Sequence, residues 1–278
     1  MSKIGIIAGG GQFPILFAKA AKKNGRQVMV VAHRGETLPE LVELADEVCW
    51  VKLGQLGKII KFFRKQGVDE AVLLGTITKT RIFRDILPDI KGLAMWNKLK
   101  VRHDDSILRA VADSLEEEGI RILESTFYLK DLLFPKGLLT NRKPSAEQIA
   151  DIKFGWKMAR EIGRLDIGQC VVVRDKAVLA VEAIEGTDAA IQRGGALGKE
   201  KAVVVKVKKP DQDFRFDLPA IGTRTIESMA GVGAAVLAVE AGQALLFDAE
   251  AMIDRANEAG IIVVGVEESN PGELDLGL

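Results

Sequence analysis

The residues best suited to chemistry concentrate between Lys206 and Arg224, in the stretch KVKKPDQDFRFDLPAIGTR. Five basic residues (Lys206, Lys208, Lys209, Arg215, Arg224) stand there against three acidic ones (Asp211, Asp213, Asp217), a local net charge of +2. If Asp211–Asp217 is extended, its side chains alternate between two faces. Asp211, Asp213, Arg215 and Asp217 then share one face, and Gln212, Phe214 and Phe216 the other. Neighbouring carboxylates repel unless a cation or a proton intervenes. Hard cations such as Mg²⁺ take oxygen ligands, so a metal–phosphate site is sensible chemistry for this face. A solvated edge hairpin is the plainer alternative. Thr223 and Arg224 follow a glycine and suit the start of a helix whose amides could face the same phosphate.

A second group leaves a strand at Glu182-Ala-Ile-Glu185-Gly186-Thr187-Asp188, with Arg193-Gly194-Gly195 just beyond. Thr187 and Asp188 are good helix caps. The carboxylates with a nearby arginine also suit a metal–phosphate group. A third group, Gly9-Gly10-Gly11-Gln12, lies between an apolar run and a helix opened by Pro14. It reads either as a tight strand–helix turn or as a phosphate or sugar contact. The dinucleotide fingerprint fails, since its third glycine would fall at Pro14 and the second strand ends in His33-Arg34 with no acid. Gly75-Thr76 ends another strand and could share a crevice with Gly9–Gln12. His103-Asp104-Asp105 precedes a helix and offers a cap or a ligand contact.

The elements that must position these groups alternate in the first half. Strands are predicted at Ile4–Ala8, Val28–Ala32, Glu47–Val51, Ala71–Leu74 and Ile120–Leu123, with helices between, notably 55–66 and 105–118. This alternation predicts an α/β chain with an N-terminal Rossmann-like parallel-sheet domain over 1–134. The Pro- and Gly-bearing stretch 135–144 reads as a linker. Residues 145–278 read as a C-terminal mixed α+β catalytic domain. It opens on a Ser145-capped helix, has a hairpin at Gln169–Val173 and Ala177–Ala183, and ends in a frayed acidic tail after Val266.

Composition excludes several classes. The 278 residues carry 39 Lys+Arg and 39 Asp+Glu, a net charge of zero, with 47% apolar and 5% aromatic residues. That composition is globular. It lacks the basic excess and stacking aromatics of a nucleic-acid binder, so no nucleic acid is expected. Cys49 and Cys170 sit in apolar runs without a CxxC and read as buried reduced thiols. No signal peptide or transmembrane window is evident, and a cytoplasmic location is expected.

With these residues in view, the chain resembles the LpxI-type UDP-2,3-diacylglucosamine pyrophosphatases of lipid A synthesis. The resembling segments are IAGGGQFP, HDDSILRAVADSLEEEGIRILES, DIGQCVVV with AVLAVEAIEGTDAAIQRGG, and KKPDQDFRFDLPAIGTRTIE. EGTD followed by QDFRFDLP is the specific part. The resemblance implies Mg²⁺-dependent cleavage of UDP-2,3-diacylglucosamine to UMP and lipid X. Water attacks the α-phosphorus, and the substrate is held between two domains. It places the essential aspartate at Asp217, with Asp213 as the second match. Asp217, Asp213 and Asp188 are accordingly the catalytic and metal candidates. Gly10, Gly11, Gln12, Gly75, Thr76, Asp105, Glu182, Gly186, Thr187, Arg193, Lys206, Gln212, Arg215, Thr223 and Arg224 are the substrate-binding candidates. Transient association with a membrane surface and a homodimer are compatible with this reading. A non-catalytic nucleotide-sugar or lipid sensor and an NAD(P)-dependent oxidoreductase are the alternatives; the acidic face around Asp217 favours an enzyme.

Overall fold

The computed structural model describes residues 2–78, 87–98, 104–198, 201–210, 212–216, 218–270 and 272–278. The chain divides into two compact units, residues 1–130 with 213–217, and residues 131–212 with 218–278. The segment 213–217 thus belongs to the first unit although the chain on both sides of it belongs to the second.

In the first unit, strands β1 (Lys3–Ala8), β2 (Gln27–His33), β3 (Glu47–Val51), β4 (Glu70–Leu74) and β5 (Arg121–Ile122) form one sheet. Its order is β3-β2-β1-β4-β5 and every pairing is parallel. This is the doubly wound arrangement that the strand–helix alternation predicts. Helices α1 (Phe13–Lys23) and α2 (Pro39–Leu44) cover one face, burying Phe17, Ala18, Ala21 and Leu41. Helices α3 (Leu56–Gln66), α4 (Ile90–Lys98) and α5 (Asp104–Glu116) lie with the other face, where Ile59, Ile60, Phe63 and Leu115 are buried. The near-continuous apolar runs of β1 and β2 suit strands covered on both sides.

The second unit contains β6 (Gly137–Leu138), α6 (Ala146–Arg164), β7 (Cys170–Arg174), β8 (Ala177–Val181), α7 (Thr187–Gly198), β9 (Val203–Lys206), β10 (Ala220–Ile221), α8 (Thr223–Ala230), β11 (Val236–Glu240), β12 (Leu245–Leu246), α9 (Ala249–Glu258), β13 (Ile262–Asn270) and β14 (Glu273–Asp275). The main sheet runs β14-β13-β11-β9-β7-β8, with β6 paired to β13. Its centre, β9-β11-β13, is parallel; β7 joins β9 antiparallel and forms the hairpin with β8. Ser145 caps α6 in a capping box with Gln148. Helix α6 buries Ile152, Trp156 and Ala159 against one sheet face, and Ile191, Ile226, Met229 and Met252 of α7, α8 and α9 pack on the other. Valines dominate the sandwiched strands, as their stiff β-branched side chains favour.

The stretch 135–144 holds β6 and clusters with the second unit. Two sequence expectations are corrected. The acidic tail is not frayed: β13 continues to Asn270 and turns back as β14. Lys136 bridges Glu267 and Asp275, which anchors that hairpin. Cys49 is half-buried; Cys170 alone is fully buried.

Candidate active site

The second unit gathers most of the candidate residues around one strand–helix turn. Glu182 leaves β8 buried, and its carboxylate accepts from Thr187 Oγ1 at 2.7 Å and from the Gln169 amide at 3.3 Å. It therefore fixes the start of α7 to the root of β7. Gly168 is required beside it, because a Cβ there would lie 2.0 Å from the Glu182 carbonyl oxygen. Gly186 turns the chain with φ +86°, a conformation that favours glycine. Thr187 and Asp188 then open α7.

Lys206 ends β9 buried, its Nζ donating to the Ala220 carbonyl at 3.1 Å. That carbonyl belongs to β10, which pairs with β12 and leads through Gly222 into α8. Arg224, in the first turn of α8, reaches Asp188 with Nε 2.8 Å from Oδ2. Thr187, Asp188, Lys206, Gly222, Arg224 and Phe247 are among the residues lining a concavity of about 330 Å³. A second hollow of about 460 Å³, lined by Glu185, Gly186, Gln192 and again Thr187, Asp188 and Arg224, adjoins it. Such volumes suit a small ligand or part of a larger one. Two cationic side chains and the N-terminal turns of two helices face this space. Helix N-termini carry positive partial charge and unpaired amides, so the arrangement suits phosphate oxygens.

Other candidates in this unit stand apart from the concavity. Arg193 donates to the Val181 carbonyl at 2.9 Å and to Glu185 Oε1 at 2.6 Å, pinning the turn. Gln212 is buried and accepts from the Lys209 amide at 3.2 Å. Thr223 is the first residue of α8. Burial, then the nearby Glu182 carboxylate, push the Cys170 thiol up to about 12, so it is an inert core group.

In the first unit, the β1–α1 and β4 loops are joined. The Gly10 amide donates to the Thr76 carbonyl at 2.7 Å, and the Thr76 amide returns to the Gly10 carbonyl at 3.1 Å. Gly75 has φ +86°, and a Cβ there would lie 2.4 Å from the Gly10 oxygen. Gly10, Gly11, Gln12, Gly75 and Thr76 are thus neighbours, but the Gly10 amide is spent on Thr76. Asp105 stands in the first turn of α5, and its side chain lies outside the described residues, as does His103.

The extended reading of Asp211–Asp217 does not hold. The Phe216 amide donates to the Asp213 carbonyl at 3.2 Å, closing a turn. Arg215 folds back on Asp213, with its backbone amide 2.9 Å from Oδ1 and Nη2 2.9 Å from Oδ2, and also reaches Glu116 at 3.1 Å. Burial alone would raise the Asp213 carboxyl, but these bonds outweigh it and hold the group below its ordinary range. Ser125 donates from both N and Oγ to the Phe214 carbonyl, at 3.2 and 3.0 Å, and Phe216 packs on the core of this unit. Asp211 and Asp217 lie outside the described residues. Sequence reasoning missed Ala220 and Phe247 as lining residues. They arrive through β10–β12 pairing, which no local pattern announces.

Two family domains match the chain. The LpxI N-terminal domain covers residues 3–132, and the LpxI C-terminal domain covers residues 135–264. The chain belongs to the LpxI family. It is 39% identical to the UDP-2,3-diacylglucosamine pyrophosphatase LpxI of Caulobacter vibrioides, over 96% of this chain and 98% of that protein. Among solved structures, a phosphoribosylglycinamide synthetase from Anaerococcus prevotii matches at 14% identity and a TM-score of 0.27, over 69% of this chain and 34% of that one. An N5-carboxyaminoimidazole ribonucleotide synthetase from Thermotoga maritima matches at 18% identity and a TM-score of 0.25, over 66% and 42%. The chain spans less than half of either synthetase, and likenesses this slight carry no argument about an LpxI protein.

Proposed function

We propose that this chain hydrolyses the pyrophosphate bond of UDP-2,3-diacylglucosamine, giving UMP and 2,3-diacylglucosamine 1-phosphate (lipid X), as a cytoplasmic step of lipid A synthesis. The observation that carries the reading is the concavity where Lys206, Arg224 and the first turns of α7 and α8 converge. A diphosphate ester is anionic, and this is the anion-binding chemistry it requires. The LpxI relative of matching length supports the choice of substrate.

In this reading Arg224, with its side chain 85% exposed, exchanges Asp188 for phosphate oxygens, to which a guanidinium binds in bidentate fashion. Lys206 adds a buried positive charge. Asp217, the family's matching aspartate, positions or deprotonates the water that attacks the α-phosphorus. The new bond is water oxygen to α-phosphorus; the bond to the bridging oxygen breaks, and lipid X leaves with that oxygen.

Among the described residues no group of three His, Cys, Asp or Glu side chains could hold a metal. Magnesium does not demand one, since it takes one or two carboxylates and completes its shell with water and substrate phosphates. Asp188, at the mouth of the concavity, fits that minimal donor set. Asp213 fits less well, because Arg215 occupies its carboxylate. We assign Asp188 as the described residue that would hold the ion; the resemblance adds Asp217 as a candidate ligand. Bound there, it would neutralise phosphate oxygens and stabilise transition-state charge.

The test is Asp217→Asn. It should abolish turnover of UDP-2,3-diacylglucosamine while leaving substrate binding and Tm close to those of the parent. A variant with parental turnover would remove Asp217 from the reaction.

A further inference from the structure

The most basic stretches of this chain are not among the residues that line the concavity. Residues 52–66 carry five basic residues and no acid, and residues 79–102 carry seven basic and two acidic ones, a net of +5 in each stretch of a chain whose total is zero. Most of the first stretch is α3, whose Lys58, Lys61, Arg64 and Lys65 are exposed. The second contains α4.

Helix α4 is firmly seated on α3. A Cβ on Gly92 would lie 1.9 Å from the Gly54 carbonyl oxygen, so only glycine permits the contact. Asp89 accepts from the Lys58 amide at 3.0 Å and from the Gly92 amide at 2.9 Å, tying the start of α4 to α3. Arg64 and Lys91 both pair with Glu118, which brings the basic end of α3 beside α4. This seating turns Gly92 inward. Leu87, Ile90 and Leu93 stay outside, 54%, 89% and 50% exposed. Single exposed apolar residues are ordinary. Three within seven residues, two of them on a fixed helix and one just before it, beside a cationic helix, form a patch that marks an interaction site.

We propose that α4, with the basic face of α3, is a docking surface for an anionic lipid bilayer. Ile90 and Leu93 enter the boundary between headgroups and acyl chains, and the lysines and arginines meet the anionic headgroups. Apolar residues on a short helix flanked by basic ones are the chemistry of interfacial binding, and basic residues near an anionic surface strengthen it. The proposal deepens the proposed function and rests on it for its purpose, since a diacylated substrate resides in such a surface.

The experiment is sedimentation of the full chain with phosphatidylglycerol vesicles and, separately, with phosphatidylcholine vesicles, at low and high salt. The expected result is binding to phosphatidylglycerol that weakens with salt and falls about tenfold in Ile90→Asp/Leu93→Asp, with unchanged circular dichroism and Tm. Turnover of detergent-dispersed substrate should be unchanged in that variant. Absence of vesicle binding, or binding indifferent to the double substitution, would overturn the proposal. So would a concentration-dependent dimer that the substitutions abolish without any vesicle binding. Binding is read without turnover: a chain that hydrolyses dispersed substrate yet ignores vesicles loses only the docking surface, and one that binds vesicles without hydrolysis loses only the proposed activity.

Discussion

Arg224 in the first turn of α8 holds Asp188 in the first turn of α7, Nε to Oδ2 at 2.8 Å. The pair spans the mouth of the concavity and joins two helix starts. Because the arginine is largely exposed, the pair stabilises the fold little; its consequence is for ligands.

Arg224→Ala should therefore leave Tm nearly unchanged and lower kcat/KM by about 1.5–3 kcal/mol, roughly 10- to 150-fold, the range for a charged hydrogen bond. Arg224→Lys keeps the charge but not the fork and should recover only part of the loss. Steady-state kinetics beside a thermal melt check both. A large fall in Tm with unchanged kcat/KM would make the pair structural.

Gly75→Ala probes the joined loops of the first unit. The substitution places a methyl group against the Gly10 oxygen and forces an L side chain to φ +86°. The expected cost is about 1–3 kcal/mol, measured by denaturant unfolding. A neutral result would mean that the two loops can part freely.

His33 sets a pH dependence. Its ring is buried, and Nδ1 donates to the Ala8 carbonyl at 3.0 Å. Burial holds its pKa below the ordinary 6.5, although the carbonyl and Glu36 oppose this. The unfolded chain then takes up a proton below pH 6.5 that the folded chain refuses. Stability contributed by neutral His33 is present above 6.5 and is lost as pH falls toward the lowered value, at up to about 1.4 kcal/mol per pH unit. His33→Gln should lack that slope between pH 7.5 and 5.5 in urea titrations; an identical slope would assign it to other groups.

Much of this was legible in the chain. The apolar runs at Ile4–Ala8 and Val28–Ala32, the glycines after them and Pro14 point to a parallel sheet with α1, and the sheet is there. The Glu182–Asp188 cluster and Lys206 do meet Arg224 in space. The turn at Asp213–Phe216 was hidden because alternating Phe214 and Phe216 imitate a strand, while Ser125 and Glu116, which help hold it, lie about 90 to 100 residues earlier. The acidic tail after Val266 reads as frayed; the β13–β14 pairing orders it as a hairpin, which Lys136, distant in sequence, reinforces. Local pattern reports periodicity, and these features depend on partners that periodicity does not name.

Glu240 illustrates such a partner. Its carboxylate takes the Lys208 amide at 2.8 Å and Arg160 at 2.6 Å, while Arg160 also donates to the Lys208 carbonyl at 3.2 Å. The ion pair thus grips both sides of the residue that leads toward Gln212 and Asp213. Glu240→Ala should cost about 1–3 kcal/mol, since it leaves the Lys208 amide without its acceptor and removes one of the partners of a part-buried arginine. Glu240→Gln, which keeps an acceptor for Lys208, should cost less. Chemical denaturation of the three proteins compares them, and equal costs for both variants would deny the amide contact its part.

The central claim is that water attacks the α-phosphorus of UDP-2,3-diacylglucosamine. Mass spectrometry of the products formed with Mg²⁺ in water enriched in oxygen-18 tests it most directly. UMP should carry the label and 2,3-diacylglucosamine 1-phosphate should be unlabelled. Label in the lipid phosphate, or an intact substrate, would contradict it.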